Sequence, residues 1–145
     1  MSDLDALYRE LILDHSKHPQ HYGLAPEEGA SATSHQKNPV CGDEITLRAR
    51  VDGDAIRDVT WEGTGCSISQ ASASMLADLV EWMPRVEASA LVDGFREALR
   101  SRGTIPLDEE VYGDAAALSG VSKFSARVKC AMLAWVALED ALARA

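Results

Sequence analysis

The sequence predicts an α+β fold, a small antiparallel sheet with helices packed against it. Three observations predict it. Residues 44–51 alternate as a half-buried strand does, with Ile45, Leu47, Ala49 and Val51 on one face and Thr46, Arg48 and Arg50 on the other. The turn formers Asp52-Gly53-Asp54 follow at once, and Ile56, Val59 and Trp61 then read as a returning strand, so the pair is a hairpin. The connection is too short for a parallel crossover, and the helical segments are segregated from the strands rather than alternating with them.

Taken in order, Leu4 to Ser16 is a helix, because Leu4, Leu7, Tyr8, Leu11 and Ile12 recur at helical spacing and Ser2 or Asp3 offers a cap. Pro19 and Gly23 end it. Residues 24–31 read as loop and Ser31 to Asn38 as a short polar strand. After the hairpin runs out at Gly63-Thr64-Gly65, Ser67 opens a helix to Trp82, which Met83-Pro84 breaks. Val86 to Arg100 is amphipathic through Leu91, Val92, Phe95 and Leu99. Residues 103–118 are mixed, with "TIPLDEEVYGD" an exposed connection. Ser122 to Ala143 is a long helix whose apolar side carries Phe124, Val128, Met132, Trp135 and Leu138. No repeat, low-complexity tract or linker interrupts the 145 residues, so residues 1–145 are read as one domain.

Composition narrows the function. Hydrophobic residues make up 46% and charged residues 26%, an ordinary globular balance. A net charge of −9 and a pI near 4.8 argue against nucleic acid and anionic membranes as partners. No apolar run reaches the roughly 18 residues of a membrane span. The acidic start "MSDLDALYRE" lacks the basic region of a signal peptide, so a cytoplasmic protein is expected. Three cysteines, Cys41, Cys66 and Cys130, are too few and too odd in number for a disulfide framework. Inert core thiols, a metal site or a reactive nucleophile are the alternatives.

Local context separates them. Cys41 is bracketed by turn formers in "KNPVCGDEI", not by apolar neighbours. Cys66 follows the second strand and stands at a helix N-terminus, where the dipole and free N–H groups favour thiolate. The small residues Ala71, Ser72, Ala73 and Ser74 then let another backbone approach closely. Antiparallel pairing of the hairpin brings Cys41 and Cys66 to the same end of the sheet, and Cys130 joins them if the last helix packs across that end. Asp43, two residues from Cys41, would complete three thiolates and a carboxylate, a donor set that suits tetrahedral zinc. Cysteines also hold iron–sulfur clusters. Taken alone, Asp43 reads as a turn residue, and Cys66 as part of an ordinary helix start.

Arg127 shares a helix face with Cys130, where it would stabilise a thiolate or an anionic sulfur species, or simply be solvated. Lys129 points elsewhere and reads as surface. His15, His18, His21 and His35 compete as ligands, but "DHSKHPQHYG" offers no second ligand pair, so surface or helix-end roles are favoured.

These residues resemble the IscU/NifU-like family of iron–sulfur cluster assembly proteins. "LYRELILDHSKHPQHYG" is similar to the family's N-terminal helix, "NPVCGDEI" and "GCSISQASASM" to its first two ligand motifs, and "VKCAMLAW" to its third, all in the family's order. The resemblance implies a compact α+β fold and a metal site of Cys41, Asp43, Cys66 and Cys130. Three departures separate the chain from the scaffold branch. Lys129 stands where that branch has histidine, no Leu-Pro-Pro-Val-Lys motif is present, and the connection from Cys66 to Cys130 is longer. All three resemble the SufU branch.

That branch implies a zinc-dependent sulfurtransferase. Cys41 would accept persulfide sulfur from a SufS-type cysteine desulfurase and hand it to the downstream Suf cluster-assembly machinery. Asp43, Cys66 and Cys130 would retain the Zn2+ while the desulfurase supplies a replacement ligand. Cys41 suits the acceptor role because it stands on a turn, whereas Cys130 is fixed within a helix. The alternative is a scaffold on which iron is gathered into a [2Fe–2S] cluster on the same residues. A structural zinc domain fits the ligands but leaves the turn position of Cys41 unexplained.

Overall fold

The computed structural model describes residues 3–39 and 42–145, with side chains from residue 5 onward. Helix α1 (Asp3–Lys17) leads into three strands, β1 (Ala30–Asn38), β2 (Asp43–Asp52) and β3 (Ala55–Thr64). Helices α2 (Ser67–Val80), α3 (Arg85–Arg100) and the short α4 (Glu109–Tyr112) follow, then a 3-10 helix (Gly113–Lys123) and α5 (Ser125–Arg144). The strands form one antiparallel sheet in the order β1-β2-β3. The α+β architecture read from the sequence is therefore the observed one.

The β2–β3 hairpin closes where Asp52 pairs with Ala55, leaving Gly53 and Asp54 as a two-residue loop. Gly53 takes φ 60°, the left-handed value such a loop requires at its first position. The alternation of β2 buries Ile45, Leu47, Ala49 and Val51 on the helix-facing side, opposite Ile56, Val59 and Trp61 of β3. On the other face Arg50 is 9% exposed, in a two-pronged pair with Asp58, and Arg48 donates to Thr33 Oγ1 and the Ala25 carbonyl. The guanidinium of Arg50 holds the Asp58 carboxyl below the usual carboxylate range.

Helix α5 lies over β1 and β2, and α2 packs among α1, α5 and β3. The small run Ala71, Ser72, Ala73 and Ser74 is buried along its whole length, which is what close helix packing requires. Ser72 donates to the Ala131 carbonyl of α5 at 2.6 Å and accepts from Trp135 Nε1 at 2.9 Å. Trp135 stacks on Phe95 of α3 with ring centroids 3.8 Å apart. Next along α2, Ser74 Oγ lies 2.7 Å from His15 Nδ1 and accepts from the Gln20 amide, while His15 Nε2 meets Asp114 at 2.9 Å. His15 is thus at a helix end, as expected, but it is buried and ties α1, α2 and the 3-10 helix together.

Several details differ from the sequence reading. Leu7 is 48% exposed, so the buried stripe of α1 runs through Tyr8, Leu11 and Ile12. Helix α2 stops at Val80, because Trp82 takes φ 60° and Met83 accepts from the Ile56 amide at the hairpin end. The connection read as exposed contributes to the core through Leu107 and Tyr112, and Tyr112 donates to the Leu91 carbonyl. Phe124 precedes α5 and is 63% exposed.

Candidate metal centre

The register of the sheet builds the site. Glu44 pairs with Thr64, so Asp43 at the start of β2 faces the residues leaving β3. There the Cys66 amide donates to Asp43 Oδ1 at 3.0 Å. Gly65 makes room for the contact, since a Cβ on it would sit 2.5 Å from Asp43 Oδ1 and closer still to Ser69 Oγ. Only glycine fits there without displacing the carboxylate.

Asp43 is 1% exposed, and its second oxygen, Oδ2, is buried with no hydrogen-bond partner among the described residues. An orphaned carboxylate oxygen in a buried position costs on the order of 1–3 kcal/mol or more. A cation beside it removes that cost, and the surroundings supply further donors. Cys66 is half-buried at the cap position of α2, and its thiol makes no capping hydrogen bond. Cys130 is 1% exposed within α5, with its thiol directed toward the Ala126 carbonyl at 3.9 Å.

A carboxylate oxygen of Asp43 and the sulfurs of Cys66 and Cys130 all lie within 4.8 Å of one another. Ligands of one tetrahedral zinc stand about 3.5–3.8 Å apart, so the three need only contract modestly around an ion. The α2–α5 brace positions the third of them, because Ser72 grips the carbonyl of Ala131, the residue next to Cys130.

The structure therefore brings together Asp43, Cys66 and Cys130 of the residues singled out in the sequence. Cys41 lies outside the described residues. Arg127 is exposed on the first turn of α5, with no side-chain hydrogen bond or ion pair among the described residues. Lys129 is exposed and faces a groove between α3 and α5. None of the four histidines enters the cluster among the described residues. His35 pairs with Glu44 at 2.7 Å, and His21 lies 3.4 Å from Glu81. Two contributors escaped the sequence reading, Gly65 and the Ser72–Trp135 brace. A glycine directly before a candidate ligand was the available signal for the first, whereas the second is visible only in three dimensions.

A three-stranded antiparallel sheet with a carboxylate and two thiols gathered at one end defines an α+β domain with a candidate metal centre. The chain belongs to the family described as the NifU-like N-terminal domain, which matches residues 7–143. It is 42% identical over 144 residues to the iron–sulfur cluster assembly scaffold protein IscU of Streptococcus pyogenes, covering 99% of this chain and 87% of that protein. It is 40% identical over 144 residues to the zinc-dependent sulfurtransferase SufU of Bacillus subtilis, covering 99% and 94% respectively. Among solved structures, a putative scaffold protein for the SUF system from Fervidobacterium islandicum superposes with a TM-score of 0.81 at 36% identity, covering 92% of this chain and 94% of that one.

Proposed function

We propose that this chain is a zinc-dependent sulfur acceptor that takes persulfide sulfur from a SufS-type cysteine desulfurase for iron–sulfur cluster assembly. The observation that carries the reading is the convergence of Asp43, Cys66 and Cys130 around a buried carboxylate oxygen that lacks a partner among the described residues. The 40% identity to a protein named a zinc-dependent sulfurtransferase supports it further.

Cys41, Asp43, Cys66 and Cys130 would hold the Zn2+, which when bound keeps its thiol ligands deprotonated at neutral pH. Asp43 divides its work between two oxygens. Oδ1 is fixed by the Cys66 amide, and Oδ2 is left to face a cation. Cys130 is anchored in a braced helix and Asp43 in a paired strand, so both are suited to stay in place. Cys41, next to Gly42 with its φ of 74°, is the acceptor. Its thiolate attacks the outer sulfur of the desulfurase's cysteine persulfide. The S–S bond breaks, the desulfurase cysteine leaves as thiolate, and Cys41 carries the new persulfide.

The test is alanine production by a cognate desulfurase with zinc-loaded, zinc-stripped and zinc-restored protein. Acceleration that stripping abolishes and zinc restores is the expected result, and Cys41→Ala should abolish sulfur uptake. Sulfur uptake at the wild-type rate by Cys41→Ala would refute the acceptor role.

A second reading is favoured by the 42% identity to a protein named a scaffold. In it the same four residues carry a nascent [2Fe–2S] cluster that is assembled and then transferred. Turnover indifferent to zinc, together with a stable cluster spectrum after anaerobic reconstitution, would select this reading.

A further inference from the structure

Helices α3 and α5 leave between them a groove of about 370 Å³. Its floor is an apolar stripe at helical spacing on α5, Val128, Met132 and Val136, each half-buried and uncovered. Its rim is basic, formed by Arg100, Arg102 and Lys129, and no carboxylate among the described residues lines it. These three cations are exposed and form no ion pair among the described residues. Arg96 nearby is by contrast already committed to Glu139 at 2.7 Å. Three unpaired cations around an uncovered apolar floor are unexpected in a chain of net charge −9.

Arg102 adds an independent observation. It follows the cap residue of α3 with φ 58°, the left-handed conformation in which helices usually place glycine. An arginine there costs backbone energy, and what the chain gains for it is a guanidinium on the rim of the groove.

We propose that this groove docks an acidic amphipathic helix of a partner protein. The lining runs along α5 from Ser125 to Val136, about 16 Å, which is three turns of a helical ligand. Such a ligand would lay apolar residues at helical spacing on Val128, Met132 and Val136, with carboxylates facing Arg100, Arg102 and Lys129. Charge complementarity selects this occupant. Nucleic acid and anionic membranes are repelled by the chain as a whole. A second copy docking through the same face would set like charges against each other. A small oxyanion would find exposed cations over an apolar floor, and the buried hydroxyl in the lining, that of Ser122, is already donated to the Ser119 carbonyl.

Selection of phage-displayed peptides on the full, metal-loaded chain, without any desulfurase, tests the proposal independently of the sulfur-acceptor reading. Selected peptides should be acidic, with apolar residues three and four apart, and should shift the amide resonances of residues 99–102 and 125–136. Affinity for one synthetic peptide so selected should fall about tenfold or more in the double variant Arg100→Glu/Lys129→Glu, and also as NaCl rises from about 50 to about 300 mM. Arg102→Gly separates binding from folding, because it relaxes the backbone, leaves Tm equal or higher and still weakens the peptide. Three results would overturn the proposal. They are peptides without net negative charge or with shifts elsewhere, undiminished affinity in the charge-reversed variant, and the same shifts produced by inorganic pyrophosphate alone. A concentration-dependent dimer abolished by Lys129→Glu would equally replace it, with a second copy as occupant.

Discussion

Gly65→Ala should damage the candidate metal centre without replacing any of its candidate ligand residues. The added methyl would stand 2.5 Å from Asp43 Oδ1 and closer to Ser69 Oγ, so the carboxylate must rotate away. Rotation breaks the bond from the Cys66 amide, a hydrogen bond to a charged group worth about 1.5–3 kcal/mol. Crowding adds about 1 kcal/mol after the flexible Ser69 hydroxyl has moved. The loss is therefore about 2.5–4 kcal/mol in the metal-free protein, or roughly 6–12 °C in Tm for a chain of this length. Zinc affinity should fall by about 10–100-fold, the usual result when a ligand loses the group that orients it. Urea titration of the metal-free variant measures the first effect, and competition with a chromophoric chelator measures the second. Gly65→Ala/Ser69→Ala removes one of the two clashes and should recover part of the stability. If Gly65→Ala changes stability by less than about 0.5 kcal/mol and leaves zinc affinity alone, the close packing of Gly65 on Asp43 does not matter to the site.

Other consequences can be checked in the same preparations. Trp135→Phe keeps an aromatic ring on Phe95 but loses the donor to Ser72, and should cost about 1–3 kcal/mol. Combined with Ser72→Ala it should cost less than the two single changes added, and strict additivity would show that the brace is not one unit. Arg50 holds Asp58 below the usual carboxylate range, so their pair stabilises the fold fully above the ordinary carboxylate pKa of about 3.9 and is lost as pH falls through the lowered folded value. Asp58→Asn should lower stability at pH 7 by about 1.5–3 kcal/mol and flatten the acid limb of the stability–pH curve. Asp140, held low chiefly by Ser34, titrates in both proteins and does not confuse the comparison.

The strands and the site were legible in the sequence to different depths. The alternation of Ile45 to Val51 and the Asp-Gly turn carry the hairpin by themselves, because a half-buried strand writes its two faces directly into residue order. Hairpin geometry then carries Asp43 and Cys66 to one end of the sheet. Burial across residues 107–118 was not legible. Leu107 and Tyr112 sit among acids and turn formers, and their burial depends on α3 and the 3-10 helix folding beside them. His15 was hidden for a similar reason. Its partners, Ser74 and Asp114, lie 59 and 99 residues away, so no local pattern announces a buried histidine. Phe124 shows the converse error, since an aromatic placed at helical spacing ahead of α5 remains in solvent.

The brace between α2 and α5 also bears on the order in which the molecule opens. The start of α5 is uncapped by any side chain, and Ser125, Ala126 and Arg127 are exposed, as expected of a turn that frays. From Ala131 onward the helix is held by Ser72, and Trp135 lies in the aromatic stack. Cys130 stands at the boundary. In hydrogen exchange the amides N-terminal to it should trade protons through local opening, whereas those beyond it should wait for the molecule to unfold as a whole. One donor of the candidate centre therefore sits where a loose turn meets the most protected stretch of the chain, and an ion bound there would move that boundary toward Ser125.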